Sequence, residues 1–187
     1  MLAHYVFVPL LLLVPAIVGG VLHSVVIRTG LLPWLAVPIQ RRWFGANKTW
    51  RGLVVMPVGC LLGEYLTIAL EHGLPPDIRT GLQGLSPGML VVCGLSLGLG
   101  YMLFELPNSF FKRRLGIAEG MLSENAHLRG WFLLVDQVDS VIGCLVVCRL
   151  FLGFGMSVLL MAMLLGVGAH LLVNFSLFLT GIRSRPV

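Results

Sequence analysis

Charge is what this chain has least of. Asp, Glu, Lys and Arg make up 11% of its 187 residues, against 57% apolar. A soluble domain carries about 25% charged residues. With a mean hydropathy of +0.95, that scarcity excludes a soluble domain and indicates an integral membrane protein. Cysteine is sparse as well: Cys60, Cys93, Cys144 and Cys148 all sit in apolar runs. None has zinc-like spacing with histidine, so they read as small packing residues. Cys144 and Cys148 share a helix face, but a bridge within one helix is geometrically poor. No Cys or Ser stands beside a base as a covalent nucleophile would. Walker A spacing, internal repeats, heptads and low-complexity segments are also missing. The net charge of +5 raises the question of nucleic acid. The basic residues fall between apolar runs, however, where they set orientation and meet anionic headgroups or phosphates, so no nucleic-acid partner is expected.

What is present is a set of apolar runs at roughly 5–27, 52–70, 87–106, 132–152 and 156–179. Each approaches or exceeds the ~20 residues that cross a ~30 Å hydrocarbon core. They predict an all-α integral membrane protein, a single-domain bundle of five transmembrane helices. No basic residue precedes the first run, and Pro15 and Gly19-Gly20 interrupt it. It therefore reads as a span rather than a signal peptide. Pro9, Pro15 and Pro57 fall in or near spans, where neighbouring helices can satisfy the carbonyls they release. Gly59–Gly63 and Gly94–Gly98 have the small-xxx-small spacing of closely packed helices, a spacing that 23 glycines also produce by chance.

The loops carry the orientation. Arg28, Arg41, Arg42, Lys48 and Arg51 fall in 28–51, Lys112, Arg113, Arg114 and Arg129 in 107–131, and Arg183 and Arg185 in the tail. Of the 13 basic residues only Arg79 and Arg149 lie on the other side. The positive-inside rule predicts an outside N-terminus, a cytoplasmic C-terminus and a multi-pass protein of the cell membrane whose basic loops face the cytoplasm.

Several polar groups are out of place in a bilayer. Asp136 and Asp139 are three residues apart, so both carboxylates project from one helix face. At mid-bilayer each costs roughly 2.5–3.5 kcal/mol if left alone. Like charges on one stripe favour a cation between them, and Mg2+ suits a carboxylate pair that leaves room for water and substrate phosphates. Glu64, Glu105, His170 and Asn174 also fall in spans, the last two sharing a face. Glu64 and His170 are compatible either with helix packing or with a site. Phe44-Gly45-Ala46-Asn47-Lys48-Thr49-Trp50-Arg51-Gly52 is short and rich in donors, as expected of a loop that grips phosphate. Lys112-Arg113-Arg114 could be a stop-transfer cluster, but its place between Glu105 and Asp136-Asp139 favours phosphate binding.

Four blocks in order, Asn47–Gly52, Ser109–Ile117, Asp136–Asp139 and His170–Asn174, resemble the motifs of the CDP-archaeol synthase family over nearly the whole chain. The resemblance implies a five-span scaffold with cytoplasmic active-site loops. It also implies an activity, joining CTP to an isoprenoid ether-lipid phosphate with Mg2+ and releasing pyrophosphate. Asp136 and Asp139 would then be metal ligands, and Lys48, Arg51, Lys112 and Arg113, with Arg114, would meet the CTP phosphates. Asn47, Thr49 and Ser109 would complete the pocket, with His170 and Asn174 closing it. Glu105 stands where the family pattern has an aspartate and is expected to serve as a third metal ligand with a shifted reach. Gln40 replaces an acidic residue, and 118–131 is longer and more polar than the usual link, with Glu119, Glu124, His127 and Arg129.

The expected function is therefore Mg2+-dependent transfer of CMP from CTP to a membrane lipid phosphate, archaetidate-like or phosphatidate. Two alternatives stand beside it. One is a CTP-dependent lipid-alcohol kinase, which would release CDP. The other is a transporter or scaffold subunit, which would show no nucleotide dependence and leaves the cations interleaved with Asn, Thr and Ser unexplained. No feature of the sequence specifies an oligomeric state.

Overall fold

Leucine and valine make these helices apolar, but glycine and proline decide how they meet. The computed structural model describes residues 2–182. Its elements are α1 (Leu2–Thr29), α2 (Arg41–Phe44), α3 (Trp50–Glu71), α4 (Pro87–Arg114), α5 (Ala126–Leu152) and α6 (Met156–Leu179), with short 3-10 turns at Pro33–Leu35, Pro76–Ile78 and Leu82–Gly84. All except α2 are long and apolar enough to cross a membrane. The five long helices close a ring in the order α1, α3, α4, α5, α6 and back to α1. Arg183 and Arg185, part of the charge asymmetry, lie outside the described residues.

Lipid tails are as apolar as leucine, so helices in a bilayer associate through close contact and hydrogen bonds rather than through exclusion of water. The small residues provide that contact. A Cβ on Gly59 would stand 2.6 Å from the Cα of Gly19, and one on Gly63 would stand 2.5 Å from the Cα of Pro15. These two glycines seat α3 on α1. Gly98 lies against the backbone of Pro57, seating α4 on α3, and Gly100 lies against Gly143, seating α4 on α5. Both small-xxx-small pairs are thus packing surfaces. Cys60, Cys93, Cys144 and Cys148 are buried and unbridged, and they fill the same interior beside Met56 and Ala162. Glu64 is wholly buried on α3 against Gly94, eleven residues or ~16 Å of helix from Glu105.

Two helices run further than their apolar stretches suggest. The third span was expected to end at 106, before Pro107, yet α4 continues to Arg114. Proline removes one hydrogen bond, but its φ is helical, and three cations in the last turn suit the negative end of the helix dipole. The fourth span was expected from 132, yet α5 begins at Ala126. Its N-cap, Asn125, accepts from the backbone N–H groups of His127 and Leu128 at 3.0 and 3.3 Å. The loop expected over 107–131 therefore shrinks to 115–125, and Lys112, Arg113 and Arg114 are helical. That correction decides which side chains can meet.

Candidate functional site

Once α4 is helical through Arg114, Glu105, Asn108 and Lys112 follow one another at intervals of three and four residues and share a stripe. That stripe meets the Asp136–Asp139 stripe of α5. The Asn108 side-chain amide donates to Asp136 Oδ1 at 2.6 Å and to Asp139 Oδ2 at 2.8 Å. The Lys112 ammonium donates to both oxygens of Asp136, at 2.5 and 2.6 Å. The ammonium also sits over the Phe132 ring, 5.5 Å from its centroid.

The third element is the loop between α2 and α3. An isolated antiparallel bridge joins Pro38 to Thr49, with Ile39 N donating to the Lys48 carbonyl at 2.8 Å and Trp50 N to the Val37 carbonyl at 3.1 Å. This fold-back turns the Lys48 side chain to α4, where it pairs with Glu105. The two lysine–carboxylate bridges are the ion pairs found among the described residues, and both lie at this one end of the bundle.

The arrangement can be read as a charge balance. Glu105, Asp136 and Asp139 are three carboxylates, and Lys48 and Lys112 hold two of them directly. Asp139 is the third. It is 8% exposed and is hydrogen-bonded by neutral donors, the Asn108 amide and the Ser140 N–H at 2.7 Å. A buried carboxylate without a cationic partner is costly. Among the described residues Asp139 is thus the one carboxylate of the three that no lysine holds directly.

The remaining sequence-predicted residues divide. Ser109 is buried beside Asn108, and Asn47 and Thr49 flank Lys48. Arg51 instead donates to the Leu31 carbonyl at 3.2 Å, tying α3 to the segment after α1. Arg113 holds the Ile117 carbonyl. Arg114 stacks over the Phe110 ring at 4.9 Å, roughly on the far side of α4 from Asn108. Half-buried His170 and buried Asn174 share a face of α6, outside the two helices and the loop that carry the paired charges. Glu105 pairs with Lys48, and among the described residues no three His, Cys, Asp or Glu side chains converge as a metal cluster.

Asn108 is the residue that sequence reasoning leaves without a role, because a span ending at 106 puts it in a loop. Its spacing of three from Glu105 and four to Lys112 is the signal that marks it once the helix is continued.

Residues 2–186 match the family model for CDP-archaeol synthase. The chain belongs to the CDP-archaeol synthase family. Among curated relatives, it is 35% identical over 112 residues to the CDP-archaeol synthase of Methanospirillum hungatei, covering 59% of this chain and 57% of that one. It is 31% identical over 147 residues to that of Thermofilum pendens, covering 78% and 60%. A third, from Archaeoglobus fulgidus, is 24% identical over 151 residues, covering 78% and 77%. The chain thus spans somewhat under two thirds of the length of the first two relatives. No solved structure gives a significant match. In a CDP-archaeol synthase family member, the paired-charge end of the bundle is the natural place to look for the chemistry.

Proposed function

We propose that this protein transfers CMP from CTP to a membrane lipid phosphate of the archaetidate type, releasing pyrophosphate and leaving a CDP-activated lipid. The observation that carries the reading is the convergence of Asp136, Asp139, Asn108, Lys112, Lys48 and Glu105 at one end of a bundle whose relatives are named CDP-archaeol synthases. A phosphate oxygen of the lipid attacks the α-phosphorus of CTP. The new P–O bond forms as the bond from the α-phosphorus to the bridging oxygen breaks, and pyrophosphate leaves with that electron pair. Such a reaction depends on positioning and charge neutralisation and requires no covalent nucleophile. Lys48 and Lys112 are the cations placed to offset the triphosphate, each held in readiness by a carboxylate.

The donor set also fits Mg2+. Oxygens of Asp136 and Asp139 both lie within hydrogen-bond distance of one amide nitrogen, and the Asn108 amide oxygen is buried without a hydrogen-bond partner. Rotating that amide by half a turn would present a third oxygen to the point where its nitrogen now stands. Asp136, Asp139 and Asn108 would hold the ion, which supplies Lewis-acid stabilisation of charge on the phosphates.

The charge asymmetry of the loops supports an orientation in which this end faces the cytoplasm, where CTP is made. Purified protein given Mg2+, a lipid phosphate and CTP labelled at either the α- or the γ-phosphate tests the reaction. Label should enter the lipid from the α-position only, with one pyrophosphate released per turnover. Entry from the γ-position would mean a kinase and overturn the proposal. In a cysteine-free background, a cysteine at Gly84 should react with an impermeant thiol reagent added to intact cells and one at Ala118 should not. The reverse pattern would overturn the orientation.

A further inference from the structure

Glu119 belongs to the segment that departs from the family pattern, and the proposed transfer gives it no task. The chain nevertheless takes trouble to place it. α4 ends in a left-handed stop: Gly116 has φ 72°, Ile117 N donates to the Lys112 carbonyl at 2.9 Å and Gly116 N to the Arg113 carbonyl at 3.2 Å. Ile117 is buried, and the Arg113 guanidinium holds its carbonyl. The chain leaves that turn fixed in direction. Two residues on, Glu119 Oε1 accepts from the backbone N–H of Ala46 at 2.9 Å.

The receiving side is shaped for this contact. Gly45 is buried and has φ 92°, a conformation open to glycine and strained for residues with a Cβ. A Cβ there would stand 2.7 Å from Glu119 Cγ. The Ala46 N–H, aided by the positive charges of Arg113 and Arg41, holds the Glu119 carboxyl below the usual carboxylate range, so it is an ionised acceptor at neutral pH. The run that carries Lys48 is therefore pinned at both ends, by the Pro38–Thr49 bridge on one side and by Glu119 on the other.

Building on the CMP-transfer reading, we infer that Glu119 is a positioning residue. By holding the Gly45-Ala46 backbone it keeps the Lys48 loop docked on α4, and it does so without touching either substrate. It should therefore govern how well CTP is gripped and leave the chemical step alone.

Two measurements on the full-length protein in bilayers test this. Amide hydrogen exchange at Ala46 should quicken about tenfold in Glu119→Ala. In the transfer assay the same variant should raise KM for CTP about three- to tenfold with kcat within about twofold. Glu119→Gln, which keeps an acceptor oxygen, should recover most of both effects. Unchanged exchange at Ala46 in Glu119→Ala would overturn the inference. A lower KM would also overturn it, since that would make Glu119 a competitor of the triphosphate. If the wild-type protein transfers no CMP, the functional reading fails instead, and the exchange result still decides whether the clamp exists.

Discussion

Among the described residues, only one end of the bundle pairs charge with charge between elements. At the end holding Lys48 and Asp136, charged side chains reach from one element to charged side chains on another. At the opposite end they finish the backbone close by. Arg79 donates to the Leu74 carbonyl at 2.6 and 2.8 Å, and Arg149 donates to the carbonyls of Gly153 and Phe154 at 2.8 and 2.7 Å. Glu71, fully buried, accepts from Thr80 N at 2.7 Å. These local bonds span nine residues or fewer, whereas Lys48–Glu105 spans 57 and Lys112–Asp136 spans 24. Local capping completes a turn and asks nothing of the rest of the fold. Paired charges between helices are held at a cost in desolvation that packing must offset, and the proposed handling of phosphate would give that cost a purpose.

The contrast is tested hardest at Asp139. Asp139→Asn should lower transfer about a hundredfold or more if Asp139 is the Mg2+ ligand proposed above. The same change relieves a buried carboxylate that makes no ion pair among the described residues, so without Mg2+ the variant should melt at or above the wild-type temperature. Added Mg2+ should raise the melting temperature of the wild type only. Turnover within tenfold of wild type would remove Asp139 from the site. Next comes Lys112→Gln. Losing a charge-assisted contact worth ~1.5–3 kcal/mol should reduce kcat/KM for CTP roughly tenfold to hundredfold. Unchanged CTP kinetics would make Lys112 only a lock on Asp136.

Arg113→Gln should be milder, raising KM for CTP by about threefold, because Arg113 acts through the Ile117 turn and Glu119. Arg113→Lys should restore part of that, lacking the planar fork. A hundredfold effect would place Arg113 on the triphosphate itself. Smallest of all, Arg149→Gln should leave transfer within about twofold while lowering stability by ~1 kcal/mol, read as a small drop in melting temperature. Loss of transfer there would erase the distinction between the ends.

Much of this architecture is legible in the amino-acid sequence. Hydropathy identifies five spans because a bilayer leaves a helix few alternatives, and the three-residue interval of Asp136 and Asp139 marks a shared face. Helix ends are less legible. Pro107 and the cations that follow look like a stop, although a proline and a basic last turn are both compatible with a continuing helix, and this alone hides Asn108. The Glu119–Ala46 contact joins residues 73 apart through one hydrogen bond, and no periodicity records such a bond. The roles expected for Arg51 and Arg114 rest on donor-rich and basic runs as well as on motif resemblance, while the structure gives both other neighbours, Leu31 and Phe110.

The glycine contact between α4 and α5 has a mechanical side. Where Gly100 meets Gly143, each backbone lies against the other with no side chain between them, so this is the point about which the angle between the two helices is set. Asp136 lies seven residues from it along α5, and Asn108 eight residues from it along α4. A rocking of ~10° about that point would move a group ~10 Å along the rod by about 2 Å. That is the difference between an amide touching two carboxylates and a gap wide enough for an ion and its water. The distance between the two halves of the site thus depends on the angle between two rods, and any side chain placed at Gly143 would meet the Gly100 carbonyl and push the rods apart before it touched the chemistry.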